Sequence, residues 1–174
     1  MGMKQKNAPS DYLLPGIVGT WAPCGERPVL YCPAAHDHLS MMSGITPRGE
    51  LYTLTRDRPL TSWESILFLG HLRRMLGTDL LGIGDGSPIH RSTEVRSFPA
   101  QGGAAFVWLE GFPPYAPDLN PDERVWQHLK HVELRNLCGD DLEHLSSEVK
   151  LAVNRVRRKP TLIQSFFEGA GLEL

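Results

Sequence analysis

Two carboxylates define the chemistry to look for. Asp85 closes an apolar, strand-like run, Asp79-Leu80-Leu81-Gly82-Ile83-Gly84-Asp85, and Glu123 follows the Asn120-Pro121 pair that opens an amphipathic helix. A carboxylate at a strand end and another at a helix start are held on rigid elements and can converge on one divalent cation. Such a pair suits Mg²⁺, a hard ion that takes carboxylate oxygens and keeps several waters. It also suits in-line displacement at phosphorus, where divalent ions activate the nucleophile and stabilise the leaving oxygen. Taken singly, both residues have plainer readings. Asp85 before Gly86 is an ordinary turn pair, and Glu123 is a first-turn acid that complements the helix dipole. Asp122 is a further acid beside Glu123. His90 either orients substrate or metal-bound water, or caps a loop.

The elements that must position these residues can be read from periodicity and breakers. Residues 1–11 are polar and expected to be poorly ordered, leaving 12–174 as a single domain. Arg27–Pro33, Leu39–Ile45 and Leu51–Leu54 read as three short strands in an antiparallel meander, with Pro47-Arg48-Gly49-Glu50 as a turn. Thr61 or Ser62 caps a helix with Glu64 in its first turn. Trp63, Ile66, Leu67, Leu69, Leu72, Met75 and Leu76 supply its apolar stripe and Gly77 its end. Leu80–Ile83 and Ala104–Leu109 are short, almost wholly apolar strands, as expected for strands buried on both faces. Ser92–Phe98 is a short helix between them. The proline-rich run from Phe112 to Asn120 leads into a helix over Pro121–Leu134, with Asn120 as cap, Pro121 at its first position and Trp126 packed into the core. Asp140 or Asp141 caps a last long helix to about Arg158, and Thr161–Phe167 forms a shorter one. Strands, a helix, then strand–helix–strand–helix indicate an α/β fold with a mixed sheet flanked by helices.

The turn Pro113-Pro114-Tyr115-Ala116-Pro117, with Leu119-Asn120-Pro121, Glu123 and Trp126, resembles the signature of the DDE transposases, in the bacterial insertion-sequence branch of the mariner-like superfamily. Asp85-Gly86-Ser87-Pro88-Ile89-His90-Arg91-Ser92 is similar to the family's element that begins with its second catalytic Asp. Tyr12-Leu13-Leu14-Pro15 and Thr20-Trp21-Ala22-Pro23-Cys24-Gly25-Glu26-Arg27-Pro28 resemble its N-terminal segment. The likeness runs from about Tyr12 to Leu172. It implies a ribonuclease-H-like fold, metal-dependent DNA cleavage and strand transfer at insertion-sequence ends, Mg²⁺ or Mn²⁺ as cofactor, double-stranded DNA as partner and a possible homodimer. It makes Asp85 and Glu123 the catalytic and metal-binding pair, with Glu123 favoured over Asp122 by register. The interval from Asp85 to Glu123 is slightly longer than the family's usual one. The family's first catalytic Asp belongs near Asn7-Ala8, where there is no acid; Asp11 is the nearby carboxylate. The first strand is therefore expected to be missing or degenerate, and the chain reads as N-terminally truncated, without the family's helix-turn-helix region. A non-catalytic remnant that binds DNA or a partner transposase is the alternative reading.

Composition sets limits on both readings. The chain has 174 residues, 41% of them hydrophobic and 22% charged, which suits one globular domain. A net charge of −2 gives no global signal for nucleic acid. Arg155, Arg157, Arg158 and Lys159 form a local basic cluster, either a solvated helix face or a phosphate-contacting strip. With His90 and Arg91 they are the candidate DNA-contacting residues. Cys24, Cys32 and Cys138 have no metal-site spacing and fit a reduced, bacterial cytoplasmic compartment. No apolar run suggests a membrane span, and the N-terminus lacks the apolar region of a secretory signal.

Overall fold

The computed structural model describes residues 2–4, 22–25, 29, 39–84, 92–97, 107–113, 116–138 and 141–173. In chain order these residues form β1 (Gly2–Lys4), β2 (Ser40–Ile45), β3 (Leu51–Arg56), α1 (Ser62–Leu76), β4 (Leu80–Gly84), α2 (Thr93–Ser97), β5 (Val107–Gly111), α3 (Pro121–His128), α4 (Leu142–Arg157) and α5 (Pro160–Gly169). The strands make one mixed sheet in the order β3-β2-β1-β4-β5. β1 runs antiparallel to β2 and parallel to β4, and β4 runs parallel to β5. This is the ribonuclease-H-like arrangement expected for the chain.

The first strand, expected to be missing or degenerate within a poorly ordered 1–11 segment, is present but short. Gly2–Lys4 sits at the centre of the sheet, with Met3 paired to Gly44 on one side and to Gly84 on the other. Lys4–Ser10 contains no apolar run, so no strand could be read there. A strand lying between two others is held by its own backbone N–H and C=O groups, and those need no side-chain pattern. The expected strand over Arg27–Pro33 and the residues 104–106 of the later one lie outside the described residues.

β2 and β3 form a hairpin in register from Ser40↔Arg56 to Ile45↔Leu51. Alternation along β2 sends Met42 to one face of the sheet and Ile45 to the other, and each face has its own core. On the first face Met42, Leu60, Phe68, Leu69, Leu72, Leu80, Val95 and Val107 pack together, bringing α1 and α2 onto the sheet. On the second, Ile45 and Leu51 pack with Val125 and Leu129 and with the buried stripes of α4 and α5, Val149, Ala152, Val153, Val156, Ile163, Phe166 and Phe167.

α1 begins as its sequence indicates. Thr61 and Glu64 form a reciprocal capping box, and Gly77 ends the helix in the left-handed conformation at φ 62°. The stripe it buries is narrower than the one expected. Ser65, Phe68, Leu69 and Leu72 face the core, while Trp63, Leu67 and Met75 are exposed. The apolar arc of α1 is wider than the sheet it covers.

The two parallel strands also differ from expectation. They are buried on one face, not two. Leu80 and Val107 lie in the first core, but Leu81 and Trp108, which pair across β4 and β5, are each 54% exposed. Among the described residues, α3 lies against β1 and β2 and α4 against β3, and neither helix packs over this pair. Among the described residues no helix is long and apolar enough to cross a membrane. Cys24 is an exposed free thiol, whereas Cys138 is disulfide-bonded. Spacing in the sequence, from which a reduced compartment was expected, says nothing about which Cα atoms approach in the fold.

Candidate active site

The proline-rich signature builds one rigid helix start. A turn of 3₁₀ helix over Pro117–Leu119 delivers the chain to Asn120, whose backbone N–H bonds to Pro117 O. The Asn120 side chain accepts a hydrogen bond from Asp122 N at 3.1 Å, and Pro121 occupies the first helical position. Pro121 has no N–H to leave unsatisfied there and its φ is already helical. The cap and first position are therefore as expected from the sequence.

The two acids of this turn have different environments. Asp122 is completely buried. Its Oδ2 accepts from Ser43 Oγ at 2.7 Å and from Trp126 Nε1 at 3.2 Å, which ties the start of α3 to the middle of β2. Glu123 is half-buried on the same turn. Trp126, expected to sit in the core, is half-buried instead, with its indole N–H directed to Asp122. The core position under this turn is taken by Val125, which is fully buried.

On the sheet, Ser43 is the residue of β2 opposite Lys4 of β1. One row along, Met3 pairs with Gly84, the last residue of β4. Gly84 O in turn accepts from Phe112 N at 2.9 Å, just past the end of β5. Ser43, to which the first turn of α3 is bonded, and the C-terminal end of β4 thus lie in neighbouring rows of the same sheet. Asp85, His90 and Arg91 lie outside the described residues. Among those described there is no group of three His, Cys, Asp or Glu side chains suited to a metal ion.

The basic cluster near the C-terminus is largely engaged within the fold. α3 continues into a π-helical turn, Leu129–Glu133, which carries Glu133 toward α4. Glu133 takes Arg155 Nε at 2.5 Å and Lys159 Nζ at 3.4 Å, with His128 Nε2 at 3.5 Å. Burial pushes the Glu133 carboxyl upward, but the hydrogen bonds from Arg155 and Lys159 outweigh it and hold it below the usual range. Arg157 donates to Leu51 O at 2.9 Å and to Thr53 Oγ1 at 3.1 Å, binding α4 to the edge strand β3. Arg158 is exposed and makes none of these contacts. For Arg155, Arg157 and Lys159 a structural role is visible. Two partners in this region could not be found from sequence. Ser43 lies far upstream of Asp122 without a shared motif, and Glu133 is a plain helix acid whose value depends on the π turn.

A family model of the DDE superfamily endonucleases matches residues 18–146 of the chain. No curated protein sequence is significantly similar to it. Solved structures resemble it in fold. The Mos1 mariner paired-end complex with Mn aligns with a TM-score of 0.64 at 14% identity, covering 99% of this chain and 56% of that one. The Mos1 paired-end complex with the left transposon end aligns at 0.62 and 13% identity, over 98% and 55%. The Mos1 catalytic domain alone aligns at 0.55 and 14% identity, over 99% of this chain and 82% of that one. The chain thus spans a little over half the length of the transposase chains in the DNA complexes.

Proposed function

The chain belongs to the DDE superfamily endonucleases, and from that premise we propose that it is the catalytic region of a transposase that cuts and joins DNA phosphodiesters at insertion-sequence ends. Asp85 and Glu123 are the carboxylates that hold its divalent ion. The observation carrying this reading is the anchoring of α3 on β2. Asp122 is bonded to Ser43, Ser43 pairs with Lys4, and Met3 of the same strand pairs with Gly84. Asp85 follows Gly84 by one peptide, about 3.8 Å between Cα atoms. Neighbouring strands are about 4.8 Å apart, so β2, to which the start of α3 is fastened, and β4 are two strand spacings from each other, on the order of 10 Å. Two carboxylate side chains can bridge that interval to a shared ion.

The donor set fits a hard cation. Two carboxylates leave most of the coordination sphere to water, as Mg²⁺ prefers and as Mn²⁺ accepts. When bound, the ion supplies Lewis-acid activation at the reacting phosphate. The chain's own residues do the holding. Asn120 and Pro121 set the axis of α3, Asp122 fastens its first turn to the sheet, and Glu123 presents its carboxylate from that turn. The Mos1 complexes contain transposon ends, and one of them Mn; by analogy of fold the partner here is double-stranded DNA, engaged by a homodimer.

A second reading has one observation in its favour. β1, the strand beside β4, consists of Gly2, Met3 and Lys4 and contributes no carboxylate. A site short of an acid would bind DNA or a partner transposase without cutting. Nicking of transposon-end DNA in Mn²⁺ separates the two. The catalytic reading expects slow, metal-dependent nicking that disappears in Asp85→Asn and in Glu123→Gln. DNA binding with no nicking in any divalent metal would establish the remnant instead.

A further inference from the structure

Asp122 is the one acid of the signature turn with no exposure at all, and three residues meet on it. Its backbone N–H is bound by the Asn120 cap. Its Oδ2 accepts from Ser43 of β2 and from Trp126 one helical turn further along α3. We propose that Asp122 is the positioning residue for Glu123, acting through a Ser43–Asp122–Trp126 clamp, and that it is not itself a metal ligand. The inference rests on the reading of Glu123 as a ligand and specifies what holds that ligand in place.

The geometry separates positioning from ligation. A cation that keeps its waters needs open space around each coordinating oxygen, and a completely buried side chain has none. Both donors converge on one oxygen, which accepts with two lone pairs. An Asn carbonyl oxygen offers the same two lone pairs without the charge. A positioning role is therefore preserved in Asp122→Asn, whereas a ligand role is not. The clamp matters because Glu123 is the adjacent residue. A metal ligand must be held to within about 0.5 Å of its working position, and the groups that orient it contribute nearly as much as the ligand. Without the clamp, the first turn of α3 keeps the Asn120 cap and the packing of Val125 in the second core, but loses its side-chain hydrogen bond to β2 beside Glu123.

The test is a Mn²⁺ titration of the 174-residue chain followed by the electron paramagnetic resonance of free Mn²⁺, with urea unfolding of each variant alongside. Glu123→Gln is expected to weaken binding. Asp122→Ala and Ser43→Ala are each expected to weaken it by roughly tenfold, the usual effect of removing an orienting partner, and Asp122→Asn to stay within about twofold of the parent chain. Ser43→Ala and Trp126→Phe keep the comparison available if Asp122→Ala does not fold. If Asp122→Asn weakens binding as much as Glu123→Gln does, Asp122 is a ligand and the proposal is overturned. If Glu123→Gln weakens binding while the clamp variants leave it unchanged, the clamp does not position Glu123, and Glu123 stands as a ligand without it. If Glu123→Gln has no effect, the metal reading of the turn fails and the clamp proposal fails with it.

Discussion

Replacing Trp126 should separate the two contributions of the signature tryptophan. Trp126→Phe keeps an aromatic ring and removes only the indole N–H, which lies 3.2 Å from Asp122 Oδ2. That carboxylate is completely buried and retains Ser43 as donor. Removing one donor from a buried charged acceptor costs about 1.5–3 kcal/mol. Trp126→Ala also removes the ring. A tryptophan buries roughly 150–250 Å² when fully enclosed, so a half-buried one loses on the order of 100 Å², worth about 2.5 kcal/mol at ~25 cal/mol per Å². The alanine variant should therefore be destabilised by roughly 4–5.5 kcal/mol in total, with more than a third of that already present in the phenylalanine variant. Urea unfolding followed by far-UV circular dichroism measures both, with stability read at constant m. A Trp126→Phe variant within about 0.5 kcal/mol of the parent, the ordinary scatter of surface substitutions, would refute the argument. It would mean that the indole N–H does not stabilise Asp122, and that Trp126 serves this helix only by packing.

Three further outcomes follow from other parts of the molecule. Gly49 has φ +84°, and a Cβ there would meet Pro160 O at 2.5 Å; Gly49→Ala should cost roughly 2–4 kcal/mol in urea unfolding, from left-handed strain and overpacking together, and a cost below about 1 kcal/mol would show that the β2–β3 turn is not pressed against the start of α5. The Thr61 hydroxyl, outweighing burial, holds the Glu64 carboxyl down to about 2, with Arg58 adding its charge at 2.6 Å. Because the folded value lies below the ordinary 4.5, this stabilisation is complete above about pH 4.5 and is lost as the pH falls toward 2, so Glu64→Gln should flatten the acid limb of a stability-versus-pH curve; an unchanged limb would contradict it. Arg155→Ala should lower the unfolding midpoint, because it breaks the 2.5 Å pair with Glu133 in a network of cations, while Arg158→Ala should leave it unchanged; equal effects would return the basic cluster to a single solvated face.

Different parts of this molecule were legible in the sequence for different physical reasons. α1, β4, α3 and α4 carry local signals: a capping box at Thr61, an apolar run over Leu80–Ile83, an Asn-Pro helix start at Asn120, and an aspartate cap at Asp141. Each appears where those signals place it. β1 was not legible, because its stability comes from β2 and β4 on either side and not from its own side chains. The exposure of Leu81 and Trp108 was not legible either, since whether a strand is covered on both faces depends on where α3–α5 settle. Within the site, the identity of the helix-start acids was plain, but their division of labour was not. Only the contact with Ser43, contributed by a strand remote in sequence, shows that Asp122 turns inward while Glu123 remains half-exposed. The anion that engages part of the basic cluster was not legible for the same reason. That anion, Glu133, comes from another element and is presented by a π turn that no residue pattern announced.

The central claim is that Asp85 and Glu123 share one divalent ion, and paramagnetic broadening of backbone amides by substoichiometric Mn²⁺ tests it most directly. The account predicts that the same Mn²⁺ broadens the amides around Gly84 and those of Asp122–Arg124 together, over one titration range, and that Asp85→Asn and Glu123→Gln each remove both sets of effects. Broadening confined to one of the two segments, or a variant that clears only its own segment, would contradict it.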